Sequence, residues 1–327
     1  MDFELSEEQQ MLREVSRSML TSTCPPALVR ATSEAGADLD EKLWRKGVEL
    51  GWTSLAVSEE AGGAGQGLVE LCLVAEEIGR AAAPGPFMET ALVAAVAAQA
   101  GARDGIVAAL ADGSAVASVV DDPSMTHAGG KADHLLVLPA EGASEVRLAT
   151  GGGGRRRTTL DLSRGWWSVE PDGGIELDVD AGWCRDALAV LTAADALGVG
   201  EQLLAMTVAY TSVREQFGRP IGSFQAVKHK AAEMLMTLKG VRAATYRAAM
   251  SLDAHTPDAA LWASVAKAHA SAGVAELAGT ALQLHGGIGF TWEHDLHLFL
   301  RRAKVDEAIA GSASHHHARV ADLVATI

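Results

Sequence analysis

The stretch Arg214 to Lys230, REQFGRPIGSFQAVKHK, separates two long segments with helical apolar spacing. Before it, Ala187 to Val213 is rich in Ala and Leu and holds no proline; after it, Ala231 to Leu252 has the same texture. The pattern predicts a helix, a tight connection and a second helix, the hairpin of a helical bundle. Gly218, Pro220 and Gly222 interrupt the helical spacing and supply the turn. Ser223 stands where it can cap the second helix, with Phe224 and Val227 on one face behind it. The turn also carries chemistry. Arg214 and Arg219 flank a Gln and a Phe, and an arginine fork suits phosphate oxygens. Gln216 and Gln225 can bond a polar heterocycle, and Phe217 can press on a ring. The same residues also fit an ordinary solvated helix corner.

The chain has 327 residues, enough for two or three domains. It is 48% hydrophobic but only 5% aromatic, with abundant Ala, which suits closely packed helices better than an all-β fold. A net charge of −15 argues against nucleic acid and against anionic membranes as partners. An anionic ligand would therefore need a local basic pocket. Cys24, Cys72 and Cys184 are too widely spaced for a metal site or a disulfide framework, and no metal is expected. The same cysteine pattern leads one to expect a reduced, cytoplasmic location, and the opening MDFELSEEQQ, lacking a basic and an apolar region, does not read as a secretion signal. Ala91 to Leu110 carries Gln99, Arg103 and Asp104, so no membrane span is expected there.

Along the chain, Leu5 to Ser22 reads as an amphipathic helix with Ser6 and Gln9 as a capping box, closed by Pro25 and Pro26. Asp40 to Leu50 and Leu68 to Ala83 are further helices, separated by a loop with Gly62, Gly63, Gly65 and Gly67. Pro86 to Asp112 continues as one or two Ala-rich helices. Residues 1–112 thus read as an N-terminal helical domain. Between 113 and 182 short β-branched runs appear: AVASVV, HLLVLP, EVRLA, TTLDL and IELDV. They predict a reduced middle β-domain of five or six strands, with Gly151 to Arg157 as a charged hairpin tip. Trp166 and Trp167 are adjacent, so in a strand they face opposite sides. Residues 183–327 return to helix in four segments, about 187–213, 224–252, 257–285 and 295–325, the lengths of a four-helix bundle.

Helical domain, small β-domain and bundle, with Arg-x-x-Phe-Gly between the first two bundle helices, resemble the acyl-CoA dehydrogenase family. SEEQQMLRE is similar to that family's first helix. LWRKGVELGWTSLAVSEEAGGAGQGLVELCLVAEEIGRAAAPGPF resembles the region running through its third helix. QLHGGIGFTWEHDLHLFLRRAK resembles its Gln-x-x-Gly-Gly-x-Gly segment and the helix after it. The wording is most similar to short actinobacterial members associated with steroid side-chain breakdown. The resemblance implies a mainly α acyl-CoA dehydrogenase fold with a small β-domain, FAD as cofactor, an acyl-CoA substrate, and electron-transferring flavoprotein as acceptor. It also implies an oligomer, either a homodimer or homotetramer or a heterotetramer with a second acyl-CoA dehydrogenase subunit. By that resemblance Arg214, Gln216, Phe217 and Gln225, with Gln283, His285, Gly286 and Gly287, bind the adenosine diphosphate half of a flavin held mainly by a neighbouring subunit.

The family reaction is α,β-desaturation of a thioester. A carboxylate takes the α-proton while hydride passes to the flavin. Here the sequence departs from its relatives. The two family positions for that Glu are occupied by Ala310 and Leu188. The middle domain also lacks the two stretches that hold the flavin ring; SVVDDPSMTHAGG stands where the first belongs. Asp195, two helical turns or roughly 10 Å beyond Leu188, is the best residual acid, with helix packing as its competing role. Glu307 precedes Ala310 by one turn, Glu293 and Asp295 suit capping, and Arg301, Arg302 and Lys304 form a basic cluster. His315 to His317 point in different directions on a helix and cannot share one metal. Three functions are compatible with this pattern: a dehydrogenase, a half-site subunit completing a partner's FAD site, or another flavoprotein on the same fold.

Overall fold

The computed structural model describes residues 4–102, 104–140 and 142–325. Helices come first: α1 (Glu7–Thr23), α2 (Pro26–Glu34), α3 (Glu41–Glu49), α4 (Leu68–Ala81), α5 (Phe87–Gln99) and α6 (Asp104–Ala111). Seven short strands follow: β1 (Ala117–Val120), β2 (Thr126–His127), β3 (His134–Val137), β4 (Val146–Thr150), β5 (Arg155–Arg157), β6 (Trp166–Ser168) and β7 (Ile175–Leu177). The chain then returns to helix with α7 (Ala181–Val213). A small hairpin of β8 (Glu215–Gln216) and β9 (Arg219–Pro220) leads into α8 (Gln225–Asp253), α9 (Ala259–His285), α10 (Leu296–Asp306) and α11 (Ala313–Ala325). The protein is mainly helical with a small β-region, as the sequence pattern predicts.

Local chemistry sets the helix starts. Ser6 and Gln9 exchange side-chain and backbone hydrogen bonds at the head of α1. Asp40 accepts from the Lys42 and Leu43 amides at the head of α3. The prolines that stop α1 also start α2, which the sequence pattern does not mark. Pro26 sits at its first position, where a missing N–H costs nothing. Ser223 does not cap α8. It lies in a 3₁₀ turn, its hydroxyl buried without a partner, and no side chain caps the first turn of α8. The expected segment 295–325 is broken in two, because Ala310 and Gly311 both take positive φ, 52° and 91°.

The strands form two sheets. The first has the order β1-β3-β4-β7, with β1 and β3 parallel and the other pairs antiparallel. The second, β2-β6-β5, is antiparallel and sets His127 opposite Trp166. TTLDL is not a strand, and the expected hairpin tip at Arg155–Arg157 is β5 itself. Arg156 is not simply solvated: it donates to the Gly36 carbonyl and lies 5.8 Å over the Trp167 ring. Trp166 and Trp167 do face opposite ways. Trp166 is buried, whereas Trp167 donates to Asp38 at 2.8 Å.

One apolar core runs from the N-terminal helices into the bundle, and a small second core of Val120, Ala132, Leu135, Ala149 and Val169 serves the strands. The α4–α7 crossing is tight because glycines meet there. A Cβ on Gly79 would lie 2.0 Å from the Asp195 carbonyl oxygen, and one on Gly198 1.8 Å from that of Glu76. Helix α7 is also long and apolar enough to cross a membrane, but its apolar length is mostly buried in this bundle. Gly198→Ala should force α4 and α7 apart and destabilise the chain by about 1–3 kcal/mol. Urea unfolding measures this, and an unchanged midpoint would refute so close a crossing.

Candidate functional site

Two places gather the residues singled out in the sequence. The first is a corner at one end of the bundle. β8 and β9 pair Gln216 with Arg219, leaving Phe217 and Gly218 as a two-residue loop with φ of 54° and 78°. Positive φ at both loop positions is the type I′ geometry that matches the twist of a tight hairpin. For Phe217 this conformation is uncommon and strained, and its ring is 92% exposed. Arg219 stacks 4.1 Å over the Phe224 ring, and Arg214, Gln216 and Gln225 are exposed beside it.

The second motif ends at the same corner. His285, the last residue of α9, stacks on Tyr210 of α7 at 4.7 Å, one turn before Arg214. Gln283, Gly286 and Gly287 are exposed, and an added Cβ on either glycine would meet nothing within 4 Å. His285 is different: it is buried, its Nδ1 bonds the Ala281 carbonyl, and its Nε2 has no partner. Burial holds its pKa below the ordinary value. Val213, next to Arg214, and Phe290, just past the end of α9, are also exposed. Two arginines, an uncapped helix start at Gln225 and open glycine backbone fit a diphosphate, and the exposed rings fit a further covering surface.

The second place is a cavity of about 350 Å³ between α5, the β2–β6 sheet, α7 and the end of α10. Leu188 and Ala310, which the resemblance leads one to expect at the carboxylate positions, both line it. Neither supplies a carboxylate. Ala310 is fixed through its carbonyl, which accepts from His316 Nε2 at 2.7 Å. The neighbouring Gly311 carbonyl accepts from the buried Lys267 at 2.8 Å. Lys267 is pushed down to about 8 by burial. His316 is turned inward while His315 and His317 are exposed.

Behind the cavity lies a buried ion network. Arg302 grips Asp195 through two bonds of 2.9 and 2.6 Å and also donates to Ala83 and Ser163. Arg164 joins Asp161 and Asp306, each at 2.6 Å. Burial alone would raise Asp195, but Arg302 and its neighbours outweigh it and hold the carboxylate low. Asp195 is thus occupied, and a carboxylate in that state is a weak base. Burial instead pushes Asp306 up to about 7. Lys304 meets Glu307 at 3.1 Å, and Asp295, at the head of α10, pairs with Arg30 instead of capping.

Sequence reasoning misses two cavity residues. Glu89 accepts from His127 Nδ1 at 2.7 Å, and both line the cavity. Glu89 sits in the Ala-rich stretch after Pro86 and His127 in the stretch that departs from its relatives, so no motif joins them.

Comparison with known proteins agrees with this architecture. An acyl-CoA dehydrogenase N-terminal domain model matches residues 6–105, and the corresponding C-terminal domain model matches residues 186–324. The chain is 38% identical over 299 residues to acyl-CoA dehydrogenase IpdE2 of Mycobacterium tuberculosis, covering 91% of each protein. Its fold matches the Tcur3481-Tcur3483 steroid ACAD with a TM-score of 0.89 at 28% identity, over 98% of both chains. It matches the ChsE4-ChsE5 complex of M. tuberculosis with a TM-score of 0.89 at 26% identity, over the whole of both chains. This chain therefore belongs to the acyl-CoA dehydrogenase family, whose cofactor is FAD and whose members desaturate acyl-CoA thioesters. Within it, the likeness is to the short, steroid-type members.

His316 gives the loop at Ala310 a pH dependence. Burial pushes its pKa down to about 4, while an unfolded His binds its proton near about 6.5. Between those values the unfolded chain holds the extra proton, so His316 costs stability as pH falls through the window. The gap between wild type and His316→Asn should therefore narrow on acidification from pH 6.5 to 4, by up to about 1.4 kcal/mol per pH unit. Urea titrations at each pH test this, and a constant gap refutes it.

Proposed function

We propose that this chain is the flavin-capturing half of a mixed acyl-CoA dehydrogenase assembly. It lends its bundle corner to FAD held mainly by a second, longer acyl-CoA dehydrogenase subunit, which supplies the base. One observation carries the reading. The corner displays Arg214, Gln216 and an exposed Phe217, while the cavity that should hold a carboxylate is walled by Leu188 and Ala310. The ChsE4-ChsE5 complex, a solved structure of the same fold, is itself an assembly of two differently named proteins.

In this reading Arg214 meets the diphosphate, Gln216 and Gln225 bond the adenosine half, and Gly286 and Gly287 let backbone approach it. Gln283 and His285 complete the wall, His285 through the backbone it fixes at the end of α9. FAD, when bound, accepts the hydride lost from the β-carbon. The substrate is an acyl-CoA thioester with a steroid side chain as the acyl group, and electron-transferring flavoprotein receives the electrons. A cytoplasmic location goes with that acceptor.

The alternative is a complete dehydrogenase with an unorthodox base. Against it stands the engagement of Asp195 by Arg302.

Purified alone, the chain should be colourless and inactive with an artificial electron acceptor. Co-expressed with its partner it should be yellow and active. Arg214→Ala should weaken flavin retention by the assembly roughly tenfold or more, the loss expected for a charged hydrogen bond. A yellow, active chain on its own, silenced by Asp195→Asn, would overturn the half-site reading.

A further inference from the structure

The middle region presents two open strand edges of opposite charge. Strand β5 pairs with β6 and β7 with β4, each as the last strand of its sheet, so neither has a strand on its outer side. Each is three residues long. An open edge is a template for a further strand, and the charge on it decides which strand can come. In β5, Arg155, Arg156 and Arg157 are all exposed. Arg156 is held by Asp38 at 3.4 Å, by the Gly36 carbonyl and against Trp167. Arg155 and Arg157 share the opposite face of the strand, and among the described residues neither guanidinium has a hydrogen bond or an ion pair. Gly152 and Gly153 lead into the strand, and a Cβ added to either would meet nothing within 4 Å.

The β7 edge is acidic. Glu176 lies within it, Asp178 follows it directly, and Asp172 lies just ahead of it, before Gly173 and Gly174. All three side chains are exposed, and among the described residues none has a hydrogen bond or an ion pair. Arg147 stands opposite Glu176 in the register but bonds the Gly173 carbonyl at 2.8 Å and approaches Glu145 at 3.6 Å. One exposed apolar residue accompanies each edge: Ile175 in β7, 40% exposed, and Leu160 beyond β5, 58% exposed. A second β5 laid on β5 would oppose arginines to arginines, and a second β7 on β7 would oppose carboxylates. Laid on each other, β5 and β7 neutralise both edges.

We infer that copies of this chain associate head to tail, the basic β5 edge of one copy adding to the acidic β7 edge of the next. The contact is heterologous: every copy brings one edge of each kind, so it adds copies in series or closes a ring. So short an edge buries little area, and the contact is weak. Neither strand belongs to the bundle corner, so this contact and the flavin reading fail independently.

Sedimentation of the full-length chain, in whichever assembly it purifies, tests this from micromolar to submillimolar concentration. At roughly 0.15 M salt, charges more than about 8 Å apart are screened, so directly opposed charges outweigh the overall acidity of the copies. The wild-type mass should rise with concentration. Arg155→Glu with Arg157→Glu makes both edges acidic, and Glu176→Lys with Asp178→Lys makes both basic. Each pair should weaken association roughly tenfold or more, as attractive cross-strand pairs become repulsive ones. Mixed in equal amounts, the two variants should associate again, because each then offers the edge that the other lacks. Both variants stay net acidic, so general attraction between them cannot mimic this. Arg155→Gln with Arg157→Gln, which removes the charge and keeps the strand, should give a smaller loss, a second reading if a reversed variant does not fold. A wild-type mass independent of concentration overturns the inference. So does association that ignores both reversals, or a mixture that associates no better than its components.

Discussion

Everything in the middle of this molecule hangs on five buried charges, those of Asp161, Arg164, Asp195, Arg302 and Asp306. They come from three parts of the chain: the turn before β6, helix α7 and helix α10. Three carboxylates against two guanidiniums leave one negative charge too many for so buried a site. The molecule resolves this on Asp306, whose pKa burial pushes up to about 7 and whose Oδ2 is buried without a partner. Ion pairs in such a place stabilise less than apolar packing of the same volume would, but removing one partner is severe. The network therefore acts as a gauge: it permits one relative placement of the strands and the bundle and penalises others.

That placement shapes the chamber in front of it. Gly79 and Gly198 let α4 and α7 approach, which sets the depth at which Asp195 is presented to Arg302. The positive-φ pair Ala310 and Gly311 then turns the chain out of α10, held by Lys267 and His316. Leu188 is brought to the cavity by α7 and Ala310 by that turn, so both walls depend on contacts outside the cavity. Leu188 and Ala310 thus sit in a well-supported frame.

The helical parts were legible because their spacing, caps and breakers are local. Ser6 with Gln9, Asp40 ahead of α3, and Gly218 in the corner all act within a few residues. The strands were less so. TTLDL has the composition of a strand but lies in the irregular turn that carries Asp161 to the ion network, while RRR pairs with β6 because its neighbours dictate register. The break at Ala310 was hidden because alanine does not announce a positive φ. In the site, motif residues were visible as words of a known pattern. Glu89 and His127, separated by 38 positions, had no shared motif and became neighbours only through the packing of α5 on the β2–β6 sheet.

The corner has a consequence for how cells would have to handle this polypeptide. Val213 and Phe217, with Phe290 just past the end of α9, place wet hydrocarbon at one end of the bundle. Such a surface is adhesive, and adhesion is indiscriminate until something fits it. Copies made in excess of whatever covers that end would be the ones that clump or meet a protease first. Matched synthesis, more than intrinsic durability, would then govern how much of the chain persists.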